Sequence, residues 1–123
     1  MKDNDPRAVA LAALTVRFEE AGVLQVEEID RVVVACSALW ATVAFLARER
    51  DRSSGTWRSP RVQLRRYKWR GGRFVVDKHF TLTGRAQADA VGAALAAWFA
   101  PGGAGRAPGD DTTPAADDDG DSG

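Results

Sequence analysis

Along the first hundred residues the apolar positions fall into helical spacing in three places and into strand alternation in one. Asp5-Pro6 reads as a helix cap followed by proline at the first helical position, where its missing N–H costs nothing. Ala8, Leu11, Leu14 and Phe18 then recur three and four apart, predicting a helix that Gly22 ends in the left-handed conformation. A second helix is predicted from about Gln25 to Arg50, with Glu27 four residues before Arg31 as a supporting pair and Ser53-Ser54-Gly55 as its stop. A third starts at Thr83 and sets Val91, Leu95, Trp98 and Phe99 on one side before Pro101-Gly102-Gly103.

Between the second and third helices the period changes to two. The runs Arg61 to Trp69 and Arg73 to Leu82 flank Arg70-Gly71-Gly72, the pattern of a β-hairpin. Turn length decides which side chains share a face, because a slip of one residue moves every side chain to the other side. A two-residue turn pairs Arg70 with Arg73, sets like charges opposite each other and splits the apolar set. A three-residue turn pairs Trp69 with Arg73 and gathers Val62, Leu64, Phe74, Val76, Phe80 and Leu82 on one side. The second register is expected. Its other face then presents Gln63, Arg65, Tyr67, Trp69, Arg73, Val75, Asp77, His79 and Thr81, with Arg65 opposite Asp77.

These elements predict a small single α+β domain over residues 1–100, in the order helix, helix, β-hairpin, helix. A lone hairpin is marginal in water, so the helices must cover its apolar face, and dimerisation is one way to complete the sheet. From Pro101 onward the chain is rich in Gly, Pro, Ala and Asp, so 101–123 reads as a disordered acidic tail.

Charge changes this picture more than overall composition does. The net charge is zero, but residues 1–50 sum to −2, residues 51–100 to +7 and residues 101–123 to −5. The cations therefore concentrate on and around the hairpin. The chargeless stretch from Val32 to Ala47 is shorter than a membrane span and reads as a core or dimer helix rather than an anchor. Cys36, the only cysteine, lies in that stretch and is expected to be a small buried hydrophobe. The acidic, polar start, Met1 to Pro6, is not followed by an apolar segment with a cleavage site, so the cytoplasm is the default location.

Aromatic side chains among cations suit single-stranded nucleic acid, because any base can stack on an aromatic ring while arginine and lysine meet phosphate. The candidate contact residues are Arg65, Tyr67, Lys68, Trp69, Arg70, Arg73, Lys78 and His79, with Arg66 and Arg85 extending the groove. His79 has no cysteine or carboxylate at metal-ligand spacing, and the chain carries no nucleophile elbow or phosphate-binding glycine loop. The reading is thus a non-enzymatic binder without cofactor or metal, with single-stranded DNA or RNA as partner and a homo-oligomer expected. The competing reading is an adaptor subunit whose hairpin face and long helix dock on a protein. The two differ in whether the face of Tyr67 and Trp69 is open or covered.

The sequence Val62-x-Leu64-Arg65-x-Tyr67, then Gly72-x-Phe74, then Lys78-x-Phe80-Thr81-Leu82-Thr83 and a helix, resembles the end of the positive-cofactor-four family of transcriptional coactivators. The resemblance covers about a third of the chain. It implies a curved four-stranded sheet that binds single-stranded DNA, and dimerisation. It also implies nucleic-acid-facing roles for Arg65, Tyr67 and Lys78, and a dimer interface around Val91 and Leu95.

Overall fold

A computed structural model describes residues 5–105; the greater part of the expected acidic tail, 106–123, lies outside the described residues. The element order is α1 (Pro6–Ala13), β1 (Phe18–Glu20), β2 (Val23–Cys36), β3 (Trp40–Glu49), β4 (Arg61–Arg70), β5 (Arg73–Leu82) and α2 (Arg85–Phe99). The strands form one curled antiparallel sheet in the order β1-β2-β3-β4-β5. Two compact units divide within α2, the first ending at Ala88 and the second beginning at Asp89.

This corrects the helix-helix-hairpin-helix α+β expectation: the fold is mostly antiparallel β, with a short helix before the sheet and one after it. The predicted helix from Gln25 to Arg50 is instead β2, a turn and β3. Ile29, Val32, Val33, Val34, Thr42 and Val43 are β-branched, which costs side-chain freedom in a helix and fits a pleated strand. Glu27 accordingly pairs across strands with Arg48 at 2.6 Å, and Arg31 turns elsewhere. The Val32–Ala47 stretch contains no helix, and among the described residues no helix is long and apolar enough to cross a membrane. Cys36 is exposed at the end of β2 rather than buried.

The first helix keeps its predicted start but ends at Ala13, well before Gly22. The Asp5 carboxylate accepts from the Arg7 N–H at 2.8 Å, the expected cap. Gly22 does adopt a positive φ, but in the two-residue turn Ala21-Gly22 (φ 53° and 80°) that joins β1 to β2. Two positive φ values are the type I′ geometry that suits the right-handed twist of a hairpin. The third helix stops at Phe99 as expected, and Gln87 accepts from the backbone N–H of Thr83 at 2.7 Å at its start.

The inner face of the sheet holds the core. Along β3 the residues Ala41, Val43, Phe45 and Ala47 are buried while their neighbours are half-buried, an alternation of period two. Val16, Val43, Phe45, Ala47 and Tyr67 form one cluster, with Leu11, Leu14, Val26 and Phe74 packed against it. Arg31 anchors α1 over this face by donating to the carbonyl oxygens of Leu11, at 2.8 Å, and Leu14. Leu11 also accepts from the backbone N–H of the C-cap residue Leu14 at 3.3 Å, so Arg31 adds a charged donor to the carbonyls at the helix end.

The expected three-residue turn between β4 and β5 is also corrected. Gly71 and Gly72 (φ 64° and 80°) form a two-residue turn, and Arg70 pairs with Arg73. A β-bulge then shifts the register between Arg66 and Tyr67, leaving Asp77 as the extra residue on β5. Tyr67 pairs with Val76 above it and Arg66 with Lys78 below it. Val62, Leu64, Phe80 and Leu82 do share a face, but Phe74 and Val76 lie on the opposite one.

Candidate nucleic-acid interface

The bulge divides the eight predicted contact residues between the two faces. Arg65, Tyr67, Trp69 and His79 take the inner parity, and Lys68, Arg70, Arg73 and Lys78 the outer. Tyr67 is 3% exposed, inside the core cluster, and offers no ring face to a base. Trp69 is half-buried with its ring edge-on to Phe74 at 4.9 Å. Arg65 donates to Gln63 at 3.3 Å, and its Nε, like the Tyr67 hydroxyl, is buried without a hydrogen-bond partner among the described residues. Burial pushes the Tyr67 phenol up from its ordinary 10.0, and the nearby Arg65 charge offsets this in part. His79 is exposed opposite Arg65. The face expected to be open is therefore the covered one along β3 and β4.

The outer face carries the accessible cations. Strand β3 begins at Trp40, which pairs with Lys68, and Thr42 pairs with Arg66, so that both cations flank the indole. The Arg66 guanidinium lies 3.9 Å from the Trp40 ring centroid and the Lys68 ammonium 4.9 Å from it. Both distances are within cation–π range. Across to β5, Arg66 faces Lys78 and Arg70 faces Arg73. Like charges directly opposite each other destabilise a sheet. Among the described residues none of these five cations is in an ion pair, whereas Arg7, Arg17, Arg48, Arg52 and Arg58, elsewhere in the chain, each pair with a carboxylate.

A shallow depression is lined by Thr42, Leu64, Arg65, Arg66, Lys78, His79 and Phe80. Phe80 is 59% exposed, so its ring is a second accessible aromatic surface. Together Trp40, Phe80, Arg66, Lys68, Arg70, Arg73 and Lys78 give the outer face aromatic surfaces among cations that form no ion pair among the described residues. Trp40 was missed in the sequence because the predicted second helix absorbed it. The β-branched residues around it, Val32, Val33, Val34, Thr42 and Val43, were the available signal that it belongs to a strand. A second tryptophan, Trp57, also sits between arginines, with Arg48 and Arg50 at 4.4 and 4.2 Å. There the cations are engaged: Arg48 by Glu27, and Arg50 by the carbonyls of Leu24 and Gly55, which fasten the β3–β4 loop.

Among the described residues no group of three or more His, Cys, Asp or Glu side chains is placed to hold a metal ion. Comparison with protein-family models, with curated proteins and with solved structures found no match.

Proposed function

We propose that this chain is a non-enzymatic binder of single-stranded DNA or RNA and that it uses the outer face of β3, β4 and β5. One observation carries the reading: the cross-strand pairs Arg66/Lys78 and Arg70/Arg73 oppose cation to cation beside an arginine-stacked tryptophan, and among the described residues none of these four is in an ion pair. A sheet held in that arrangement gains from a polyanion what it loses by self-repulsion. Bases stack on the exposed Phe80 ring and on the plane of Arg66, which Trp40 supports from beneath, while Lys68, Lys78, Arg70 and Arg73 meet phosphates. The resemblance to the positive-cofactor-four family belongs to the same proposal: β2 to β5 supply four long strands, the number that family carries, and Lys78 keeps an outward position. Tyr67 is withdrawn from the contact set.

A protein-docking adaptor is the competing reading, favoured by the exposed Phe80 and Val75 among the cations. Titration of labelled single- and double-stranded oligonucleotides at two salt concentrations separates the two. Each phosphate contact removed should flatten the slope of log K against log salt by about 0.7 for single strands. Arg66→Ala and Lys78→Ala should therefore weaken binding and flatten that slope, and Phe80→Ala should cost about 1 to 3 kcal/mol of stacking. Tyr67→Phe should leave affinity unchanged. Absence of binding at low salt, or binding indifferent to Arg66 and Lys78, overturns the proposal.

A further inference from the structure

The cations of the outer face are not scattered over it. Directly paired residues share a face, so the outer side chains fall into rows that cross the strands. Counted from the Gly71-Gly72 turn, the first row holds Arg70 and Arg73, the second Lys68, the third Arg66 and Lys78, and the fourth Leu64 and Phe80. The fifth, with Leu46, Val62 and Leu82, holds no cation. Towards β2 the fourth row continues into the uncharged Ala44 and Val32, and the fifth ends on Asp30. The five cations thus form one track along β4 and β5 that begins at the turn and stops at Phe80. The bulge makes that end of the track. An uninterrupted register would set Asp77 opposite Arg66 and turn Lys78 and Phe80 inward. The extra residue puts Lys78 opposite Arg66 instead and brings Phe80 out beside it, at the loss of an opposite-charge pair. There the third and fourth rows enclose the depression, about 310 Å³, at the lower end of the roughly 300–1,000 Å³ of small-molecule sites.

On the reading that this face binds nucleic acid, we infer that the bound strand lies along β4 and β5, from the turn to the depression, and that only the bases at the depression end are read. One nucleotide fills the depression, its base against Leu64 and the Phe80 ring and its phosphate between Arg66 and Lys78. The next base stacks on the Arg66 guanidinium above Trp40. Beyond these, towards the turn, the outer face offers Val75 and cations but, among the described residues, no further outward aromatic ring. Lys68, Arg70 and Arg73 therefore hold phosphates and leave the bases there unread. A strand crossing the sheet would instead leave the cations at β4 and run onto Ala44, Val32 and Asp30. From the row of Arg70 to the row of Leu64 is about 20 Å at about 3.3 Å per residue, the length of about six nucleotides stacked at about 3.4 Å.

Titration of the full chain with single-stranded oligonucleotides of increasing length tests it. Affinity should rise up to about six nucleotides and then only in proportion to the number of sites on the strand. The slope of log K against log salt should steepen to about −3.5 and no further, five phosphates at about 0.7 each. A six-nucleotide strand that keeps two adjacent bases at one end and is abasic elsewhere should, in one polarity, bind within about twofold of the full strand, and a fully abasic one about fivefold or more weaker. Photocross-links from the full strand should fall on Trp40 and on residues 64–80. Affinity that keeps climbing well beyond six nucleotides per bound chain, a need for bases along the whole strand, or cross-links to Asp30 and Val32 overturns the inference and leaves the nucleic-acid reading standing. Absence of binding to every strand at low salt overturns both.

Discussion

The two faces of the sheet are made by the same strands and share the same backbone hydrogen bonds, yet they treat arginine in opposite ways. On the inner face Arg31 donates to two helix-end carbonyls and Arg65 to Gln63, within a cluster around Phe45 and Tyr67. On the outer face Arg66, Arg70 and Arg73 face other cations, and the partner nearest Arg66 is the ring of Trp40. On the inner face Arg31 is committed to holding α1 down. The outer face keeps its arginines available, at some cost in self-repulsion.

The sharpest way to break this contrast is to truncate one phenylalanine on each side. Phe45 is 0% exposed, and Phe45→Ala should cost about 3 to 5 kcal/mol in denaturant unfolding. Phe80→Ala should change stability by no more than about 0.5 kcal/mol, since the ring stands mostly in water. Equal losses would erase the distinction between core and display face. Next in size, Arg31→Ala removes two charged hydrogen bonds at a half-buried site and should cost about 2 kcal/mol, whereas Arg66→Ala should be neutral or slightly stabilising. If thermal unfolding ranks them the other way, the inner arginine does not secure α1. The smallest effect sharpens the contrast from the alkaline side. Because burial raises the Tyr67 phenol, its stabilising contribution is complete below the ordinary value of 10.0 and is lost as pH rises through the folded value. Tyr67 is the only tyrosine, so phenolate absorbance reports it directly. It should ionise above a free tyrosine and together with unfolding, and Tyr67→Phe should remove that alkaline loss of stability.

Local signals with a single mechanical meaning were legible in the sequence: the Asp5-Pro6 helix start, the place of the turn between β4 and β5 though not its length, the stop after Phe99. Glycine and proline act through the backbone of their own position, so tertiary context rarely overrides them. The stretch from Gln25 to Arg50 was not read correctly, because a chargeless run suits any buried element, and the Glu27/Arg31 spacing and the run's length favoured a helix. The preference of its β-branched residues carried the answer. For the interface, the basic character of the hairpin was legible and the face was not. Strict alternation along β5 merges Phe74 and Val76 with Phe80 and Leu82, and no composition or spacing marks Asp77 as the residue where alternation changes phase.

That residue can be put in the language of waves. Strand β5 is two wave trains of inward and outward side chains joined by a half-period slip, even numbers inward before Asp77 and odd numbers inward after it, while β4 beside it runs on without interruption. A chain that lost Asp77 would keep every other side chain of the hairpin on its present side, and would surrender only the local twist. The strand thus has one point at which its length is free to vary by a residue without scrambling what faces the core and what faces the solvent, and that point lies between the turn and the cations of the middle of the sheet.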